Sequence, residues 1–133
     1  MKHSILAATA ILGLMIAAVP AFAHHAAQAE FNFDKPVTVT GTVTRVEFIN
    51  PHGYLYLDAK DDGGKIVQWA FELVGPAYLR KAGLGRGTNA IKIGDTVTVT
   101  GASAKDGSNG ALAKIIKLAD GRTVTIWTSD PNQ

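Results

Sequence analysis

From Val37 to Val43 the apolar residues fall on odd positions, Val37, Val39 and Val43, while Thr38, Thr40, Thr42 and Thr44 take the even ones. Such alternation of β-branched residues predicts a strand with one buried and one solvated face. After Arg45 the phase reverses, and Val46 and Phe48 carry the apolar face. A reversal inside one run implies a bulge or a sharp bend, because a one-residue slip turns every later side chain to the other face. Gly41 adds room for close backbone approach or bending. A long bent first strand that serves two sheets is a feature of small closed barrels.

The pattern continues downstream. Asn50-Pro51-His52-Gly53 is turn chemistry, in which Pro presets one dihedral and Gly accepts a positive one. A second strand is expected over Tyr54 to Lys60, a hairpin at Asp61-Asp62-Gly63-Gly64, and a third strand over Ile66 to Leu73 with Val67, Trp69, Phe71 and Leu73 on one face. Gly75-Pro76 and Gly83 bracket a short helix, Pro76 to Ala82, with Tyr78, Leu79 and Ala82 as its apolar side. A glycine-rich loop follows, Leu84 to Ile93. A fourth strand, Thr96 to Gly101, ends the second copy of the string Val-Thr-Val-Thr-Gly, the first being at 37–41. The flanking segments differ, so these read as two similar strands and not as a duplication. After the loop 104–110, strands are expected over Leu112 to Leu118 and Arg122 to Trp127, joined by the tight turn Asp120-Gly121.

Three strands, a helix and two strands, with one more at the end, predict an all-β domain with one short helix: a small closed OB-like Greek-key β-barrel. An unrelated small barrel or sandwich is the alternative. The barrel is expected over 36–128, after a lead-in 24–35 and before a tail 129–133. Phe31 and Phe33 let the lead-in dock on the domain, and a short helix over Ala26 to Glu30 fits its start.

Part of the 47% hydrophobic content is concentrated at the N-terminus. Lys2 and His3 form a positive start, Ile5 to Val19 is an apolar run, Pro20 breaks it, and Ala21-Phe22-Ala23 carries small residues at the positions a signal peptidase reads. The run is shorter than the ~20 residues of a spanning helix. A signal peptide 1–23 is therefore expected, with no membrane span in the mature protein and a destination in the periplasm or outside the cell. Removal of Lys2 lowers the formal charge from +2 to +1. That charge gives no ground for a nucleic-acid partner, which would call for a basic groove interleaved with aromatics. The absence of cysteine excludes disulfides, thiolate metal sites and a cysteine nucleophile.

Several short pieces occur together: His24-His25, Phe33-Asp34-Lys35-Pro36-Val37 leading into Gly41-Thr42-Val43, Asn50-Pro51-His52, Gly75-Pro76, Gly94-Asp95-Thr96-Val97-Thr98-Val99, and Ala104-Lys105-Asp106-Gly107-Ser108. In this combination the mature chain resembles a family of small exported bacterial proteins classed as a domain of unknown function. The resemblance implies export and a small β-rich domain, and it implies no activity, substrate or cofactor. Gly53-Tyr54 departs from the bulkier aromatics that the family places after the histidine.

Cleavage after Ala23 leaves three histidines, His24, His25 and His52. The α-amine and Nδ1 of a terminal His24 can chelate one metal ion, with a third nitrogen from His25 or, after folding, from His52. Neutral nitrogens in a tetragonal array suit Cu(II) best among common metals. The arrangement resembles the histidine brace of copper proteins that begin with histidine. Cleavage one residue earlier would leave Ala23-His24-His25, whose third-position histidine also chelates Cu(II). The bland alternative is a soluble start at His24-His25 and a turn residue at His52.

Other signals are weaker. Asp61, Asp62 and Asp106 sit in turns, where Asp is favoured for backbone reasons. Gly83 to Gly87 lacks the strand and helix of a phosphate loop, and the serines lack a nucleophile-elbow pattern. Catalytic residues are therefore not assigned. Tyr54 and Tyr56 are two apart and share a strand face, so a binding module for a small molecule, a saccharide or a protein strand is the rival to metal handling.

Overall fold

The computed structural model describes residues 27–85 and 90–127. The expected leader, His24 and His25 lie outside the described residues. The chain is mostly β-sheet. Residues 27–30 are helical and run straight into β1 (Phe31–Glu47), followed by β2 (Tyr54–Lys60), β3 (Ile66–Glu72), the helix α1 (Pro76–Lys81), β4 (Thr96–Ala104), β5 (Gly110–Lys117) and β6 (Thr123–Thr125). No helix among the described residues is long and apolar enough to cross a membrane.

One six-stranded sheet runs β3-β2-β1-β4-β5-β6, and β3 also pairs with β5. The circuit β1–β2–β3–β5–β4 therefore returns to β1. Its closing seam is short and parallel, with Ala70, Phe71 and Glu72 opposite Gly110, Ala111 and Leu112. Further along β5 the same edge is taken by β6, from Ile115 to Lys117.

β1 starts at Phe31, five residues before the strand signal at Pro36. Its first residues pair with β4 (Phe31 with Ala104, Asn32 with Ser103), the register shifts, and pairing resumes at Pro36 opposite Ala102. The reversal at Arg45 is a bulge: the β1–β2 register shifts between Val43 and Arg45. Gly41 permits close approach, since a Cβ there would stand 2.6 Å from the Asp58 carbonyl oxygen. The threonine face carries the hydroxyl contacts Thr38–Thr100 at 3.0 Å and Thr40–Thr98 at 2.8 Å, while Val39 and Val43 turn inward.

Inward residues of every strand meet in one core around Val43, Leu55, Leu57, Phe71, Leu73, Val97, Val99 and Ile116. A smaller core of Phe31, Ala102 and Leu112 joins the start of β1 to β4 and β5, with Phe33 and Trp127 packed on it. Helix α1 buries Leu79, but Tyr78, expected on its apolar side, is 69% exposed. Six residues make fewer than two turns and bury Leu79, with the half-buried Ala82 that follows them packed beside the core. Gly83 closes the helix with φ of 79°.

Candidate functional site

His52 is placed by the turn that enters β2. The Asn50–Pro51 peptide is cis. Gly53 continues the β2–β3 ladder beyond Tyr54: its N–H donates to the Val74 carbonyl, and its carbonyl accepts from Leu73 N–H. Positive φ, expected of Gly53 from sequence, is not its role, since its φ is not in the left-handed region. Space is the reason for glycine: a Cβ would stand 2.7 Å from the Glu47 carbonyl oxygen and 3.2 Å from Leu79 Cδ1.

With Leu55 and Leu57 inward, period-two alternation turns Tyr54 and Tyr56 outward, and His52 is in phase with them. Phe71 on β3 and Leu73 just after it turn inward, so Glu72 faces outward, directly opposite Tyr54. His52 Nδ1 lies 2.5 Å from Glu72 Oε1, and the Glu72 side chain is only 14% exposed.

Two cavities flank this pair. An open groove of about 690 Å³ runs past Glu30, Tyr54, Glu72 and the Lys105–Asp106 turn. A smaller one of about 210 Å³ holds His52, Ala27 and Trp127. Glu30, Phe31, Tyr54 and Glu72 line both. The N-terminal turn is pinned there by Lys105, whose backbone N–H donates to the Glu30 carbonyl and whose ammonium donates to the Gln28 carbonyl. A cation on the last carbonyls of a helical turn is favourably placed.

The local field is negative. Burial pushes the Tyr54 hydroxyl above its usual pKa, and Glu72, Tyr56, Glu30 and Glu47 push the same way. A raised folded pKa makes a contribution to stability that is full below the unfolded value of about 10 and is lost as pH rises through the folded one. In a tyrosinate absorbance titration, Tyr54 is expected to ionise later than an exposed tyrosine, and Glu72→Gln to move it back; an unchanged midpoint in the variant would contradict the assignment to Glu72. The carboxyls of Asp106 and Asp120 are held below the usual range, Asp106 by hydrogen bonds from Ser108 and Asp120 by hydrogen bonds from Arg122.

Tyr54 and Tyr56 share a face, with ring centroids 6.4 Å apart and tilted by 32°. Their environments differ. The Arg45 guanidinium sits 3.8 Å from the Tyr56 ring centroid, and the Tyr56 hydroxyl donates to Glu47 at 3.3 Å. Arg45 and Glu47, two apart on β1, are also paired at 3.4 Å. Tyr56 thus has one ring face covered by Arg45, whereas Tyr54 lines both cavities. Among the described residues no three His, Asp or Glu side chains group as a metal site.

Glu72, Glu30 and Trp127 were not singled out by the sequence. The hairpin contained the signal for Glu72: a ladder that sets Lys60 opposite Ile66 also sets Tyr54 opposite Glu72. Trp127 reaches the small cavity from beyond β6, a placement that no local pattern announces.

A mostly β chain whose sheet returns on itself, with a histidine–carboxylate pair beside its closing seam, defines a small β domain without an evident catalytic constellation among the described residues. The chain belongs to a family of unknown function, DUF6152, whose model matches residues 11–113. No match was found among curated proteins.

Proposed function

We propose that this is an exported OB-like β-barrel protein that binds Cu(II) through its mature N-terminus and His52. The leader sequence supports export, and the family match begins at residue 11, inside the apolar run. The strand circuit, with a helix between β3 and β4, supports the OB-like reading.

One observation carries the copper reading: Ala27 lines the same cavity as His52. His24 is three residues before Ala27. A chain covers at most about 3.5 Å per residue, so three residues span at most ~11 Å. Lys105 fixes the turn from which this short segment departs. The α-amine and imidazole of His24, with a nitrogen from His25 or His52, supply the neutral ligand set that Cu(II) favours. Binding requires the cleaved form, because the precursor lacks the amine.

The test is a Cu(II) titration against a chelator of known affinity, using mature protein with a free His24 amine verified by mass spectrometry. Tight one-to-one binding is expected, lost both in His52→Ala and after blocking the amine. Loss on blocking alone would reduce the site to a flexible terminal chelate. Binding no tighter than that of a generic His-His peptide would overturn the reading. The large groove along Tyr54 would then be the place to look, as the surface of a non-catalytic module for a small molecule, a saccharide or a protein strand.

A further inference from the structure

Of the five asparagines in the sequence, only Asn109 is followed by glycine. In that setting an asparagine side chain is open to attack by its own backbone. Glycine has no Cβ and a wide choice of dihedrals, so its amide nitrogen can swing onto the neighbouring carboxamide carbon. Other asparagines are protected. Asn50 precedes Pro51, whose nitrogen has no proton to lose. Asn32 precedes the bulky Phe33, and its side-chain oxygen already accepts the Asp34 N–H at 3.1 Å.

The structure puts Asn109 where the attack is possible and where it matters. Residues 105–109 form the turn between β4 and β5, and Asn109 is exposed. Among the described residues its carboxamide has no hydrogen-bond partner. Gly110 opens β5 and precedes the first β4–β5 pair, Ser103 with Ala111. The Asn109 main-chain carbonyl, by contrast, accepts the Ala70 N–H at 3.0 Å, and Gly110 faces Ala70 in the parallel seam. Ser108 and Gly110, on either side of it, line the large groove.

We propose that Asn109 is a self-modification site: it deamidates without an enzyme, and the product loosens the β3–β5 seam and adds a carboxylate to the rim of the groove. The Gly110 nitrogen attacks Asn109 Cγ. The N–Cγ bond forms as Cγ–Nδ2 breaks, and the Gly110 amide proton leaves with Nδ2 as ammonia. Water then opens the five-membered succinimide ring. Opening at Cγ gives aspartate on an unchanged backbone. Opening at the α-carbonyl gives isoaspartate, in which the chain runs through Cβ and Cγ and is one methylene longer. The carbonyl that held the Ala70 N–H is then a carboxylate off the main chain, so that bond and the Ala70–Gly110 register cannot both persist. The inference is independent of the copper reading.

The test ages the exported chain at mildly alkaline pH beside Asn109→Gln, which would need a less favourable six-membered ring, and Gly110→Ala. An alanine Cβ would meet Ser108 Oγ at 3.3 Å and Ala104 Cβ at 3.5 Å, contacts that a flexible hydroxyl can relax. Peptide mass spectrometry reads the loss of ammonia and gain of water at each asparagine, and chromatography separates the aspartate and isoaspartate forms. Asn109 is expected to convert many-fold faster than Asn32, and several-fold more slowly in Gly110→Ala. The isoaspartate form should unfold at lower urea than fresh protein, while the aspartate form and aged Asn109→Gln stay near it. If Gly110→Ala does not fold, Asn109→Gln, which leaves the backbone alone, still decides. Conversion of Asn109 no faster than that of Asn32 overturns the site. An isoaspartate form with the midpoint of fresh protein overturns its effect on the seam.

Discussion

Phe71→Ala is expected to destabilise the protein by about 3–5 kcal/mol, the usual cost of emptying a large aromatic site in a core. Phe71 is completely buried and is the bulkiest fully buried side chain among the described residues. It stacks on Trp69 at 5.9 Å and lies between Leu55 on β2 and Ala111 on β5, so it fills the centre of the seam that closes the sheet. A domain of this size has about 5–15 kcal/mol in total. The loss should therefore be visible as a much lower urea midpoint at an unchanged slope. A midpoint within experimental error of wild type would show that the seam is not packed as described.

Gly53→Ala is expected to cost about 1–3 kcal/mol, the range for forcing extra volume into a packed place. The added methyl meets the Glu47 carbonyl oxygen at 2.7 Å, and backbone cannot swing aside as a flexible side chain can. Relief requires the 50–53 turn to move, and His52 moves with it. Under the copper proposal, affinity should therefore fall together with stability. Gly63→Ala is the control: its Cβ would have only Asp61 Oδ1 nearby, at 3.4 Å, and its φ is not positive. There the change should be neutral or stabilising by roughly 0.4–1 kcal/mol, through the unfolded chain. Equal effects at the two glycines in thermal melts would remove the steric argument.

Much of the fold was legible because period-two alternation is a local property. The run Val37–Thr44 contained both its strand and its bulge, and Pro76 with Gly83 bracketed the helix. The start of β1 was not legible. Phe31-Asn32 joins the sheet by pairing with Ala104 and Ser103, more than seventy residues away, and the polar stretch to Pro36 hides the continuation. Tyr78 misled for a related reason: helical spacing allowed a wider apolar side than so short a helix buries. His52 and Tyr54 were legible as candidates from their residue types. Their surroundings were not, because Glu72 reaches His52 through a cross-strand register and Ala27 reaches it through the packing of the chain's first described turn.

Among the described residues the sheet returns on itself through three facing residue pairs, and one of them carries Glu72. Integrity of the wall and geometry of the histidine are thus one mechanical variable. Any fluctuation that parts β3 from β5 at Glu72 also slackens the grip on His52, and any ligand that favours the gripped ring acts as a clasp on the wall. By linkage, occupancy at this spot should slow hydrogen exchange at the amides of Ala70 to Glu72 and Gly110 to Leu112 before it changes exchange anywhere on the far, threonine-faced side of the sheet.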